Sequence, residues 1–122
     1  MPDILLLDDE PDLLEILRTE FEEAGYDVAS YCRPQDALTA LAADKFGLVI
    51  SDIRMPKMDG MAVMLDSRKT IPTPPQFVFY TGFSDYSDEE LLNAGALRVF
   101  KKPLNFEELF SFVERFLETN TP

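Results

Sequence analysis

Asp3-Ile-Leu-Leu-Leu-Asp8 is an unbroken apolar run with an acid at each end, followed at once by Asp9-Glu10-Pro11. Consecutive aliphatic residues, rather than an apolar/polar alternation, fit a strand covered on both faces, as strands inside a parallel sheet are. Pro11 falls where the first helical turn needs no N–H. Leu13, Leu14, Leu17, Phe21 and Ala24 then recur at helical spacing up to Gly25, which is read as the C-cap. A strand buried on both faces that runs into an amphipathic helix is the opening of a β-α-β unit, and the rest of the chain is read from it.

The same alternation continues. Val28–Tyr31 is a brief second strand, and Pro34 opens a helix with Ala37, Leu38 and Leu41 on one side. Gly47-Leu-Val-Ile-Ser-Asp52 is a third buried strand. Arg54-Met-Pro-Lys-Met-Asp-Gly60 has the proline and glycine of a loop, and Met61–Lys69 resumes a helix that Pro72, Pro74 and Pro75 end. Phe77–Thr81 is strand four. The acidic stretch Ser84–Glu90 leads into a helix that stops at Gly95, and Leu97–Lys101 is strand five. The last helix begins near Asn105 and carries Phe106, Leu109, Phe110, Val113, Phe116 and Leu117 as its core stripe. Phe112 lies off the centre of that stripe by about 100–120°, at the rim, either incidentally or as a dimer or partner contact. The expected fold is a single-domain, doubly wound (βα)5 α/β sheet, parallel, with right-handed crossovers placing helices on both faces. The domain is expected to span 1–119, with 120–122 a tail or linker stub.

Composition narrows the function. The chain has 122 residues, 46% of them hydrophobic, which is room for one domain. Eleven Lys and Arg against 23 Asp and Glu leave a net charge of −12, which repels phosphate backbones and anionic lipid, so neither direct nucleic-acid binding nor membrane binding is expected. The single cysteine, Cys32, the lack of a positively charged apolar leader and the lack of an 18-residue apolar run point to a soluble, cytoplasmic protein. Histidine is absent, which removes Ser-His-Asp and Cys-His catalysis and His-based zinc sites. Chemistry has to rest on carboxylates, hydroxyls and lysine.

Those residues collect in one kind of place. Asp8 and Asp9 end strand one, Asp52 ends strand three, Thr81 ends strand four and Lys102 follows strand five. The carboxyl edge of an open parallel sheet is where ligands bind, in the crevice where strand order reverses, and these residues converge there if strands one and three are neighbours. Carboxylates brought close together repel and call for a cation. With oxygen ligands only, the ion should be hard, and Mg²⁺ suits such a site better than Zn²⁺. Mg²⁺, a lysine and a hydroxyl are equipment for phosphoryl transfer. One carboxylate can be the nucleophile that forms an acyl phosphate, the others hold Mg²⁺, and Lys102 and Thr81 bind the remaining phosphoryl oxygens.

Leu5-Leu-Leu-Asp-Asp-Glu10, Ser51-Asp-Ile-Arg-Met-Pro-Lys-Met-Asp-Gly60, Tyr80-Thr-Gly82 and Lys101-Lys-Pro103 together resemble the receiver domain of bacterial two-component response regulators, over nearly the whole chain. The resemblance implies the flavodoxin-like strand order 2-1-3-4-5. It implies Asp52 as phosphoacceptor, Asp8 and Asp9 in the acidic pocket with Asp9 the more direct metal ligand, and the backbone carbonyl of Arg54 facing the metal. Thr81 would follow the phosphoryl group. Lys102 rather than Lys101 would be the site lysine, joined to Pro103 by a commonly cis bond, and Glu10 would contribute only through water. The implied partners are a sensor histidine kinase or histidine phosphotransfer protein, with a downstream protein target or a second copy on the output side. The implied role is that of a phosphoacceptor signalling domain, not an enzyme acting on a separate substrate. One position departs from the family: Val99 stands where an aromatic residue usually precedes the site lysine, so the usual aromatic switch is not expected.

Each motif also has an ordinary reading. Asp8, Asp9 and Glu10 before Pro11 suit a helix cap and the helix dipole. Met55, Met58, Met61 and Met64 suit gap filling better than a partner surface, and Cys32 a merely structural or surface thiol. Two rival functions remain: an Mg²⁺-dependent phosphatase or phosphotransferase with an Asp nucleophile, whose usual substrate-selecting cap is missing, and a receiver-like binding module that is never phosphorylated.

Overall fold

β1 (Ile4–Leu7) is wholly buried, and its alternate residues divide between two hydrophobic layers. In a computed structural model, which describes residues 3–82 and 86–119, it is followed by α1 (Pro11–Glu23), β2 (Val28–Tyr31), α2 (Pro34–Ala43), β3 (Leu48–Asp52) and α3 (Gly60–Thr70). Next come β4 (Gln76–Thr81), α4 (Asp88–Ala94), β5 (Arg98–Lys101) and α5 (Phe106–Thr119). The five strands form one parallel sheet in the order β2-β1-β3-β4-β5. Leu5 and Leu7 pack with Val49, Phe77 and Phe79 under residues of α2, α3 and α4, while Ile4 and Leu6 pack with Leu48, Ile50, Val78 and Tyr80 under α1 and α5. A strand sandwiched this way needs apolar residues at every position, which accounts for the uninterrupted aliphatic runs.

The element bounds differ from the sequence expectation by a residue or so. α1 ends with Ala24 as C-cap, and Gly25 lies one step beyond with φ 98°, a left-handed conformation that glycine adopts without penalty. Gly95 does cap α4 as expected, with φ 117°. That helix starts from a capping box in which the Ser87 hydroxyl accepts the Glu90 N–H and the Glu90 side chain accepts the Ser87 N–H. Ser84 and Asp85 of the expected acidic loop, and the expected tail at 120–122, lie outside the described residues.

Met55, Met61 and Met64 are buried and Met58 packs against the same core, the gap-filling use. Cys32 is a free, exposed thiol. Phe112 is no isolated rim residue. It is half-buried, its ring centroid lies 5.8 Å from that of Phe100 in an edge-on contact, and the Arg98 guanidinium lies 5.1 Å from its centroid. Among the described residues no helix is long and apolar enough to cross a membrane.

Candidate functional site

The sheet register gathers the polar residues. Leu7 pairs with Ser51 and Asp52 pairs with Tyr80, so Asp8, one residue past β1, lies beside Asp52, and Thr81 and Lys102 close the same edge from β4 and β5. The strand order reverses between β1 and β3, the point at which open α/β sheets bind ligands. α3 begins tight against this edge. A Cβ on Gly60 would run into the Asp52 carbonyl oxygen and come within 3.2 Å of the Ile53 Cα, so only glycine lets the helix start so close to the strand end.

Asp8 is fully buried, and both of its oxygens are engaged: Oδ1 accepts the Glu10 N–H at 2.8 Å and Oδ2 accepts the Tyr80 hydroxyl at 2.6 Å. Asp52, 4% exposed, takes the Lys102 ammonium on Oδ2 at 3.1 Å and is further stabilised by the backbone N–H groups of Arg54 and Ile53. The same Lys102 Nζ reaches Glu10 Oε1 at 3.0 Å. Lys101 points elsewhere, to Asp88 at 2.6 Å, so Lys102 is the lysine of this edge, and its bond to Pro103 is cis. Thr81 is 2% exposed, at the end of β4.

Burial dominates the titration of both aspartates. It pushes Asp8 up to about 6, against the lowering effect of its Tyr80 and Glu10 hydrogen bonds, with the nearby Asp52 charge adding to the rise. Burial also raises Asp52, opposed by the hydrogen bond and charge of Lys102. For Lys102, burial works to lower the value, but the carboxylates of Glu10, Asp52 and Asp8 outweigh it and hold the ammonium above its ordinary range. Tyr80 is driven well above the usual phenol value by burial and by Asp8, so its hydroxyl remains a donor.

Asp8, Glu10 and Asp52 each bring a carboxylate oxygen to within 4.8 Å of the others. A pocket of hard oxygen donors with a single neighbouring ammonium suits a hard divalent cation. This trio differs from the one expected. Asp9, the direct ligand implied by the family resemblance, is not in the group. It is half-buried and lines an adjoining groove with Arg33, Pro56 and Met58. Glu10, expected only at a remove, is the third carboxylate of this group, its side chain making no cap bond to α1 and extending to Lys102. The helix-cap reading of the acidic run therefore fails for Glu10. In sequence Tyr80 stands in strand four and in the Tyr80-Thr-Gly82 motif, with no role of its own at the site. The sequence signal for its role was the polar tip it carries into a fully apolar run, since a buried phenol needs a partner.

The geometry and the sequence agree on the class. A response regulator receiver domain family model matches residues 4–114, and the chain belongs to that family. Over 117 residues it is 35% identical to the C4-dicarboxylate transport transcriptional regulatory protein DctD of Rhizobium meliloti, an alignment covering 93% of this chain and 25% of that protein. It is also 35% identical over 115 residues to the transcriptional regulatory protein ZraR of Salmonella typhimurium, covering 94% of this chain and 26% of that one. The chain thus spans about a quarter of the length of these curated relatives. Among solved structures, the response regulator TrrA of Thermotoga maritima in complex with Mg²⁺-BeF is 32% identical with a TM-score of 0.81, over 95% of this chain and 99% of that one. A CheY-like receiver domain protein from Methanospirillum hungatei JF-1 is 26% identical with a TM-score of 0.87, over 98% and 95% of the two chains.

Proposed function

We propose that Asp52 accepts a phosphoryl group from a phosphohistidine of a sensor kinase or phosphotransfer protein, in an Mg²⁺-dependent reaction, and that the modified domain presents an altered surface to a protein partner. The observation that carries this is a nearly buried Asp52 at the end of β3, held by Lys102 at 3.1 Å and set beside a second buried carboxylate. Asp52 is the nucleophile: a carboxylate oxygen forms the new O–P bond as the N–P bond breaks, and the histidine leaves as neutral imidazole. Lys102 fixes the attacking carboxylate and neutralises charge on the transferred oxygens, and the Thr81 hydroxyl, on the adjoining strand end, binds another of them. Asp8, Asp52 and the Arg54 carbonyl, with Glu10 from the observed trio and Asp9 as the family resemblance implies, would hold Mg²⁺. Bound there, the ion supplies neutralisation of the phosphoryl charge.

The relatives' names support a transcriptional output for a longer protein, while the net charge of −12 argues against this domain itself contacting DNA. A location in the cytoplasm follows from the same signalling role. The domain acts as a phosphoacceptor and catalyses no turnover of a separate substrate.

The test is intact-mass analysis after treatment with a small phosphodonor and Mg²⁺. The parent chain should gain one phosphoryl group, and Asp52→Asn or chelation of the metal should abolish the gain. Equal incorporation in Asp52→Asn, or indifference to chelation, refutes the assignment.

A further inference from the structure

We propose that Tyr80 is a positioning residue for the metal pocket, its buried hydroxyl holding the Asp8 carboxylate in the orientation from which it serves Mg²⁺ and so setting the affinity for the ion. This rests on the Mg²⁺ reading above.

Tyr80 is fully exposed to the core and not at all to solvent, packed in the layer under α1 and α5 beside Leu6, Ile50 and Val78. A phenylalanine would fill the same space. The hydroxyl is the part of the side chain that reaches the pocket, where it donates to Asp8 Oδ2 at 2.6 Å. Asp8 Oδ1 is meanwhile fixed by the Glu10 N–H at 2.8 Å. Two donors on two different oxygens leave the carboxylate no freedom to turn about either side-chain torsion, and each oxygen keeps a lone pair for a cation or its water. The ring also lies beneath the site lysine, with Lys102 Nζ 5.4 Å from its centroid, so one side chain supports both charges that flank Asp52. Hydrogen-bond partners that orient metal-binding carboxylates are worth about 10–100-fold in affinity when removed.

The experiment is calorimetric titration of MgCl2 into the parent chain, Tyr80→Phe and Val78→Ala at constant ionic strength. Val78 is buried in the same strand and layer and takes no part in holding Asp8. Tyr80→Phe should weaken Mg²⁺ by about 10-fold or more, and Val78→Ala should keep the parent's affinity while melting earlier. In the parent, Mg²⁺ should perturb the near-ultraviolet tyrosine absorption, and Tyr80→Phe should remove that difference signal. Affinity of Tyr80→Phe within about two-fold of the parent, or tighter, overturns the proposal, as does an equal loss in Val78→Ala, which would make the effect one of packing. Should Tyr80→Phe not fold, the parent's difference spectrum decides: a tyrosine band that ignores Mg²⁺ overturns it. A parent that binds no Mg²⁺ removes the metal reading itself, an outcome distinct from a parent that binds and a variant that binds equally.

Discussion

Asp3 and Asp8 flank the same strand, at opposite edges of the sheet. Asp3 is half-buried, its Oδ2 accepts the Asp27 N–H at 2.9 Å in an exposed bond, and its carbonyl receives the N–H groups of Gly47 and Leu48. It ties the starts of β1, β2 and β3 together. Asp8 has no solvent exposure, stands next to Asp52, and has its pKa pushed up to about 6 by burial. The residue type and the strand are the same. What differs is what the neighbouring strands bring: backbone N–H groups at one edge, and at the other a second carboxylate, a phenol and a lysine. An acid at a strand end becomes a site only when tertiary neighbours bury it and supply cations.

Four measurements test that contrast. The strand between the two acids should matter most for stability: Leu6→Ala, a fully buried truncation, should cost about 3–5 kcal/mol in denaturant unfolding, and a smaller loss would mean the core closes around it.

Asp8→Asn should next reveal the strain of the carboxyl edge. Because the folded pKa of Asp8, about 6, exceeds its ordinary 3.8, the folded form binds the proton more tightly, so this stabilisation is full below 3.8 and is lost as pH rises through about 6. In metal-free buffer above pH ~7, Asp8→Asn should therefore be more stable than the parent by up to roughly 3 kcal/mol, with the gap closing in acid. Added Mg²⁺ should narrow the gap by stabilising the parent. Parallel pH curves for parent and variant would refute the buried-charge account.

Lys102→Met removes the cation from Asp52 and Glu10 and should cost about 1–2 kcal/mol at neutral pH, since it strands a largely buried carboxylate. The loss should shrink in acid, as Asp52 takes up a proton. Asp3→Asn should have the smallest effect, below about 0.5 kcal/mol, because an amide oxygen still accepts the Asp27 N–H in an exposed bond. A loss at Asp3 as large as that at Lys102 would break the distinction between the two edges.

The alternation of aliphatic runs with helical stripes determined the order of elements, the burial of β1 and β3, and the edge at which Asp8, Asp52, Thr81 and Lys102 meet. These are local properties: periodicity states which way a side chain points, and strand ends are marked by the loops that follow. Lys102 was separable from Lys101 through its place before Pro103, as the family resemblance implies. Other features were beyond that reach. Glu10 turning to Lys102, with Asp9 left in the neighbouring groove, depends on a contact between residues 92 positions apart. The Tyr80 hydroxyl on Asp8 joins residues 72 apart, and the Phe112 ring meets Phe100 because α5 lies at one particular rotation against β5. A pattern of residue types carries the direction of each side chain but not the distance across strands. Partners in a buried polar site are chosen by register and packing over fractions of an ångström, and only the folded sheet sets these.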